Sequence, residues 1–141
     1  MTTLDPLAGP GYPALVALAR AVDEDTSVSE GLVELVRLRC SQVNGCAYCQ
    51  RLHGARAVEL GESAERIAAL AGWRGSALFD PAERAALELA EAVTLVADGR
   101  VPEEVLDAAV AAHGVAGAQQ LIWVSLVVNA FNRLAVGMRL A

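Results

Sequence analysis

Three side chains in the segment Cys46-Ala47-Tyr48-Cys49-Gln50-Arg51-Leu52-His53 can do chemistry together. On a helix Cys46, Cys49 and His53 stand at i, i+3 and i+7, which a 3.6-residue period gathers within about 60° of one another. Ala57 and Leu60 continue that face, so it is expected to point into protein and to shield the thiols from bulk water. Cysteines three apart on a helix have Cβ atoms about 5–6 Å apart, slightly beyond the roughly 3.5–4.5 Å of a relaxed disulfide. A bridge between them is therefore feasible and easily reduced. A helix N-terminus favours thiolate over thiol, and His53, four residues after Cys49, can take up the thiol proton and return it. Thiolate, base and second thiol suit the reduction of an O–O bond: the thiolate attacks, a sulfenic acid forms, and the second thiol condenses with it to a disulfide.

Two other readings use the same residues. Cys46, Cys49 and His53 could supply three ligands of a structural zinc, with Cys40 or His113 as a fourth, although no second Cys/His pair stands at a zinc-like spacing. Alternatively, the cysteines are two buried apolar thiols in an oligomeric helical module.

The elements that must position these groups all read as helices, since no run alternates apolar and polar residues as a strand would. The expected class is all-α. Residues 1–12 form an irregular lead-in, and a first helix covers Pro13 to Val22. The second runs from Val28 to about Val43, with Ser27 and Glu30 as a capping box, and ends at Asn44-Gly45. The third runs from about Cys46 to Leu60, and a short fourth from Ser63 to Ala71. Asp80-Pro81-Ala82-Glu83 opens the fifth, which extends to Ala97. Pro102 opens a sixth ending at His113-Gly114, and the last spans about Gly117 to Gly137.

With 141 residues the chain has the size of one self-sufficient domain. The net charge of -6 and pI near 4.8, with the basic residues scattered, argue against nucleic acid or an anionic membrane surface as partner. A hydrophobic content of 55% and a mean hydropathy of +0.39 are high for a small soluble domain, so a cavity or a subunit interface must absorb the excess. The most apolar stretch, Leu121 to Phe131, is too short and too polar at its ends to cross a bilayer, which takes about 20 apolar residues. No secretory signal is legible at the N-terminus, and a cytoplasmic location is expected. In that reducing compartment a Cys-x-x-Cys reads as catalytic or metal-binding rather than as a structural staple.

The stretch from Glu34 to Gly61, with Glu34 twelve residues before Cys46 and then Cys-x-x-Cys-x-x-x-His, resembles the carboxymuconolactone decarboxylase-like superfamily, specifically its AhpD-type alkylhydroperoxidase branch. Ala71-Gly72-Trp73, Leu78-Phe79 followed by Asp80-Pro81-Ala82-Glu83-Arg84, and Asn129-Ala130-Phe131-Asn132-Arg133 are similar to recurring segments of that family. The resemblance covers roughly residues 13 to 140. It implies one AhpD-like domain over 1–141, a compact bundle of about six to seven helices, and a thiol-dependent hydroperoxide reductase of antioxidant defence without metal or cofactor. It further implies Cys49 as the attacking thiol, Cys46 as the resolving thiol, and Glu34 and His53 as a proton relay. The implied partners are a hydroperoxide, a dithiol reductant of lipoyl type or a thioredoxin-like protein, and further copies of the chain in a trimer or hexamer. Tyr48 departs from the family pattern, which has a second relay histidine at that position. A cofactor-free decarboxylase acting on a lactone acid is the alternative within the superfamily, although such enzymes generally lack the cysteine pair.

Periodicity by itself assigns Glu34 differently. It projects with Arg37 and Ser41, away from the apolar stripe of Leu32, Val36, Cys40 and Val43, and reads as a solvated glutamate paired with Arg37. Cys40 reads as core and is expected to stay reduced. Cys46, at the start of its helix, is expected to be more exposed than Cys49 and to meet the external reductant. His113 reads as a cation at a helix C-terminus, and Trp73, Phe79, Trp123 and Phe131 as packing residues. Asn129, Asn132 and Arg133 read as a structural or interface network, because buried amides need partners.

Overall fold

Six α-helices form the chain in a computed structural model that describes residues 2–140. They are α1 (Gly11–Asp23), α2 (Glu30–Val43), α3 (Ala47–Glu59), α4 (Ala64–Ala69), α5 (Pro81–Thr94) and α6 (Glu103–Gly137), with short 3-10 segments at Leu70–Gly75 and Val96–Asp98. No strand occurs among the described residues, and the all-α class is as expected.

The helix starts follow from their capping residues. Asp80 accepts the Glu83 N–H at 2.8 Å while Glu83 accepts the Asp80 N–H at 3.0 Å, with Pro81 in the first turn, a reciprocal capping box. At α2 the expected cap is displaced by two residues. Ser27 donates both its N–H and its hydroxyl to Asp25 Oδ1 (2.9 and 2.6 Å), an Asx-type turn that delays helical entry. Ser29 then caps the helix, accepting the Leu32 N–H at 3.4 Å. Gln120 of α6 accepts the Val28 N–H at 2.6 Å and donates to the Asp25 carbonyl at 2.7 Å, fixing this connection.

The span α6 contains the last two expected helices, which part at Gly114 as the sequence indicates. The backbone at Gly114 leaves the helical region (φ 73°, ψ 172°), as only glycine does readily, but the chain re-enters the helix without a loop. His113 Nε2 donates to the Ala82 carbonyl of α5 at 2.7 Å and pins the break. By length and composition alone α6 could cross a membrane, since its 35 residues include an 18-residue window of mean hydropathy 1.3, but half of that window is buried within the protein. It packs chiefly on α5 and α2, as the central helix of a bundle does. Leu35, Val36, Leu87, Leu89, Leu121 and Val124 make the core between them. Trp73 and Phe79 join that core, Phe131 lies half-buried against it, and Trp123 does not join it: its side of α6 faces outward and it is 49% exposed.

Candidate active site

The turn from α2 into α3 holds the cysteines in place. Gly45 adopts φ +65° between the helices, and the Cys46 N–H donates back to the Ser41 carbonyl at 3.0 Å. Asn44 donates to the side-chain oxygens of Asn129 (2.8 Å) and Asn132 (3.0 Å) of α6. Asn132, fully buried, donates in turn to Ser41 Oγ at 3.0 Å. Asn129 donates to Thr94 Oγ1 at 2.9 Å and accepts from Arg133 at 2.5 Å. This amide network is internal and structural, and it ties the Cys46 turn to α5 and α6.

Cys46 is the N-cap of α3, and its Sγ accepts the Cys49 N–H at 3.2 Å. The two cysteines form a disulfide, with Cα atoms 5.3 Å apart, packed on Ala135 of α6. Contrary to expectation Cys46 is no more exposed than Cys49, at 2% against 4%, because the turn folds it beneath α6. Cys40 is buried and reduced in the core, as expected. It receives the Thr94 hydroxyl at 3.3 Å, and burial pushes its thiol up to about 11.

His53 stands one turn after Cys49 on α3, and its Nδ1 lies 2.9 Å from Glu34 Oε2. Glu34 is 5% exposed, so the solvated position that periodicity gives it is corrected: α3 packs on α2 and sets His53 against the carboxylate. Its other oxygen accepts from Arg37 Nη1 at 2.7 Å, and the same guanidinium bonds Asp23 at the end of α1. Burial by itself pushes the Glu34 carboxyl up, but the hydrogen bond and charge of His53, then those of Arg37, outweigh burial and hold it below the usual range. An ionised Glu34 takes the Nδ1 proton as a hydrogen bond and leaves His53 Nε2 as the acceptor. Sequence reasoning placed Arg37 only as a surface partner and missed Asp23 altogether, since nothing local signals a contact from the end of another helix.

Two cavities meet at this chain of charges. One, of about 650 Å³, is walled by Tyr12 and Val16 of α1, Tyr48, Cys49, Leu52 and His53 of α3, and Val127, Phe131 and Leu134 of α6. The other, of about 540 Å³, is more polar and is lined by Asp25, Ser29, Glu30, Glu34 and Gln120. Asp23, Arg37, Leu52 and His53 border both. Cys49 and His53 thus open on one apolar chamber, with Glu34 behind the histidine. Tyr48, half-exposed, stands at this chamber.

The zinc arrangement is not assembled. Among the described residues no three His, Cys, Asp or Glu side chains converge as a metal site. Cys46 and Cys49 are bonded to each other, Cys40 lies in the core, and His113 is engaged with α5.

The sequence profile of the Carboxymuconolactone decarboxylase family matches residues 11–92. The uncharacterized protein YdfG of Bacillus subtilis is 33% identical over 115 residues, covering 82% of this chain and 78% of YdfG. Uncharacterized protein YnjA of Escherichia coli is 38% identical over 61 residues, 43% of this chain and 34% of its own length. Among solved structures, Agrobacterium tumefaciens ATU0492, a protein of unknown function designated a candidate AhpD antioxidant defence protein, superimposes with a TM-score of 0.89 at 28% identity, over 93% of this chain and 89% of its own. The debrominase Bmp8 shares the fold, with a TM-score of 0.76 at 19% identity over 90% and 68% of the two chains. The chain belongs to the carboxymuconolactone decarboxylase family, and within its superfamily to the AhpD-type branch.

Proposed function

We propose that the protein is a thiol peroxidase that reduces organic hydroperoxides. The observation that carries this reading is the shared chamber of Cys49 and His53, with His53 Nδ1 on the Glu34 carboxylate at 2.9 Å. Cys49 thiolate, its proton passed to His53, attacks the terminal peroxide oxygen. The O–O bond breaks, Cys49 becomes a sulfenic acid, and the alkoxide takes the proton from His53. The Cys46 thiol then displaces hydroxide from the Cys49 sulfur, which leaves as water and closes the disulfide. A dithiol of lipoyl type or a thioredoxin-like protein returns two electrons. The apolar walls from α1 and α6 suit an alkyl substituent on the peroxide.

The reading takes residues 1–141 as one domain working in the reducing cytoplasm. It also takes the exposed apolar residues of α6, Val115, Trp123 and Leu126, as covered by further copies of the chain in a trimer or hexamer. Peroxide consumption by single-cysteine variants tests the chemistry. Cys49→Ser is expected to abolish it, whereas Cys46→Ser forms one equivalent of sulfenic acid, trapped by a dimedone-type reagent, without turnover. Wild-type kinetics in both variants would overturn the proposal.

A further inference from the structure

Both sulfurs of the disulfide are buried, but they do not face the same surroundings. Cys49 lines the apolar chamber, while Cys46 borders neither that chamber nor the polar cavity behind His53. Cys46 is enclosed by Ala135 and by its own turn, whose backbone is tied to Ser41 and whose Asn44 is held by α6. A thiol that enters the chamber therefore meets Cys49 before Cys46, which borders neither of these two cavities. The leaving group argues the same way. Thiol–disulfide exchange is faster when the departing sulfur is better stabilised as thiolate, and Cys46 Sγ already accepts the Cys49 N–H at the first turn of α3, the positive end of the helix.

We infer that the reductant, a dithiol, attacks Cys49 from the apolar chamber and expels Cys46 as a thiolate held by the first turn of α3. This inference rests on the dithiol reading of the site and reverses the expectation that Cys46 meets the reductant. The incoming thiolate forms a bond to Cys49 Sγ, and the Cys46–Cys49 bond breaks with its electron pair on Cys46. The second thiolate of the reductant then attacks its own first sulfur, which closes the reductant's disulfide. The proton released when the reductant's second thiol ionises passes to His53 and from there to Cys49 as it leaves as a thiolate. The proton of the reductant's first thiol goes to solvent and balances the Cys46 thiolate. Cys46 meets no external molecule in either half of the cycle: it attacks the sulfenic acid from within and departs to the same place.

The test uses the full chain oxidised with diamide, so that disulfide formation does not depend on peroxide activity. The protein is mixed with 2-mercaptoethanol, quenched rapidly in acid with N-ethylmaleimide, and mapped by fragment ions of the tryptic peptide 40–51. The expected product carries mercaptoethanol on Cys49 and maleimide on Cys46, in at least about tenfold excess over the reverse. Adducts on Cys46, or equal labelling, would overturn the inference and leave the peroxidase reading intact. Labelling on Cys49 in a protein that consumes no peroxide would do the opposite. Two further readouts bear on the separate steps. Leu134→Trp, which narrows the chamber, is expected to slow reduction by thiol as well as oxidation by peroxide, and an effect on peroxide alone refutes the shared entrance. Thiolate absorbance is expected to persist to lower pH in Cys49→Ser, which retains Cys46, than in Cys46→Ser. The reverse order refutes the role of the helix start.

Discussion

Replacing Glu34 by glutamine removes a charge from the middle of the Asp23–Arg37–Glu34–His53 chain while keeping the shape of the side chain. Glu34 is 6% exposed and Arg37 16% exposed in their side chains. Breaking a buried pair outright costs about 3–5 kcal/mol. Arg37 keeps Asp23, and the new amide still accepts one hydrogen bond, so the loss falls nearer the ~2 kcal/mol of a hydrogen bond to a charged group. For 141 residues, at about 2.1 cal/mol/K of unfolding entropy per residue, that lowers Tm by about 7 °C. The pH dependence is more discriminating. The folded protein holds the Glu34 carboxyl below its ordinary value of 4.5, so its contribution is complete above that value and is lost as pH falls through the lower, folded one. The Tm gap between wild type and Glu34→Gln should therefore be full at pH 7 and narrow steadily on acidification below about pH 4.5. In peroxide turnover the variant should lose about 10–100-fold, the usual effect of removing a group that orients a histidine. Scanning calorimetry at a series of pH values and initial rates with an organic hydroperoxide measure both. A gap that stays constant down to pH 3, or a variant with wild-type rates, would refute the account of Glu34 as an ionised, orienting carboxylate.

Cys40, with its thiol pushed up to about 11, should resist iodoacetamide at pH 8 in the native protein. Its folded value lies above the ordinary 9.0, so its contribution to stability is whole below pH 9.0 and is lost as pH rises through about 11, a loss that Cys40→Ala should not show in alkaline melts. Asn132→Ala should cost about 2–3 kcal/mol, because it leaves Asn44 and Ser41 short of buried partners, and it should also slow closure of the disulfide by loosening the Cys46 turn. Trp123→Glu, at a position 49% exposed on α6, should shift the assembly toward smaller species in light scattering without lowering the helical circular dichroism. An unchanged mass would remove Trp123 from the interface.

Local signals in the sequence located the helices and the reactive face. The Asp80 capping box, the Asn44-Gly45 turn and the glycine at 114 are decisions made within four residues, and the i, i+3, i+7 spacing of Cys46, Cys49 and His53 needs only the helical period. Properties set by distant elements were not legible there. Glu34 looks solvated along α2 because its cover comes from another helix, α3, and its ionisation depends on a histidine nineteen residues away and on Arg37. Cys46 looks exposed because it starts a helix, yet α6 closes over it. Trp123 looks like core because tryptophan usually is, and only the orientation of α6 shows that its side faces outward. Ser27 looks like the cap of α2 until Asp25 is seen to hold it in a turn.

The division of labour along the chain follows from the same geometry. Asp23, Glu34, Arg37, Cys46, Cys49 and His53, the charged and sulfur-bearing groups of the site, lie on α1 to α3 or at the cap of α3, inside the segment that the family shares. The wall opposite Cys49 is α6, through Val127, Phe131, Leu134 and Ala135, which lies beyond that segment. A substitution in the first group alters whether sulfur chemistry occurs at all, because each member holds another in its charged state or orientation. A substitution on α6 alters what reaches the sulfur, since those side chains touch the chamber but neither share a proton nor pair with a charge. Enlarging Val127 to phenylalanine should therefore change the ranking of long against short hydroperoxides while leaving the dithiol's reactivity toward a small alkylating agent near wild type. Equal loss with every peroxide and with the alkylating agent would show that the wall and the chemistry cannot be separated in this way.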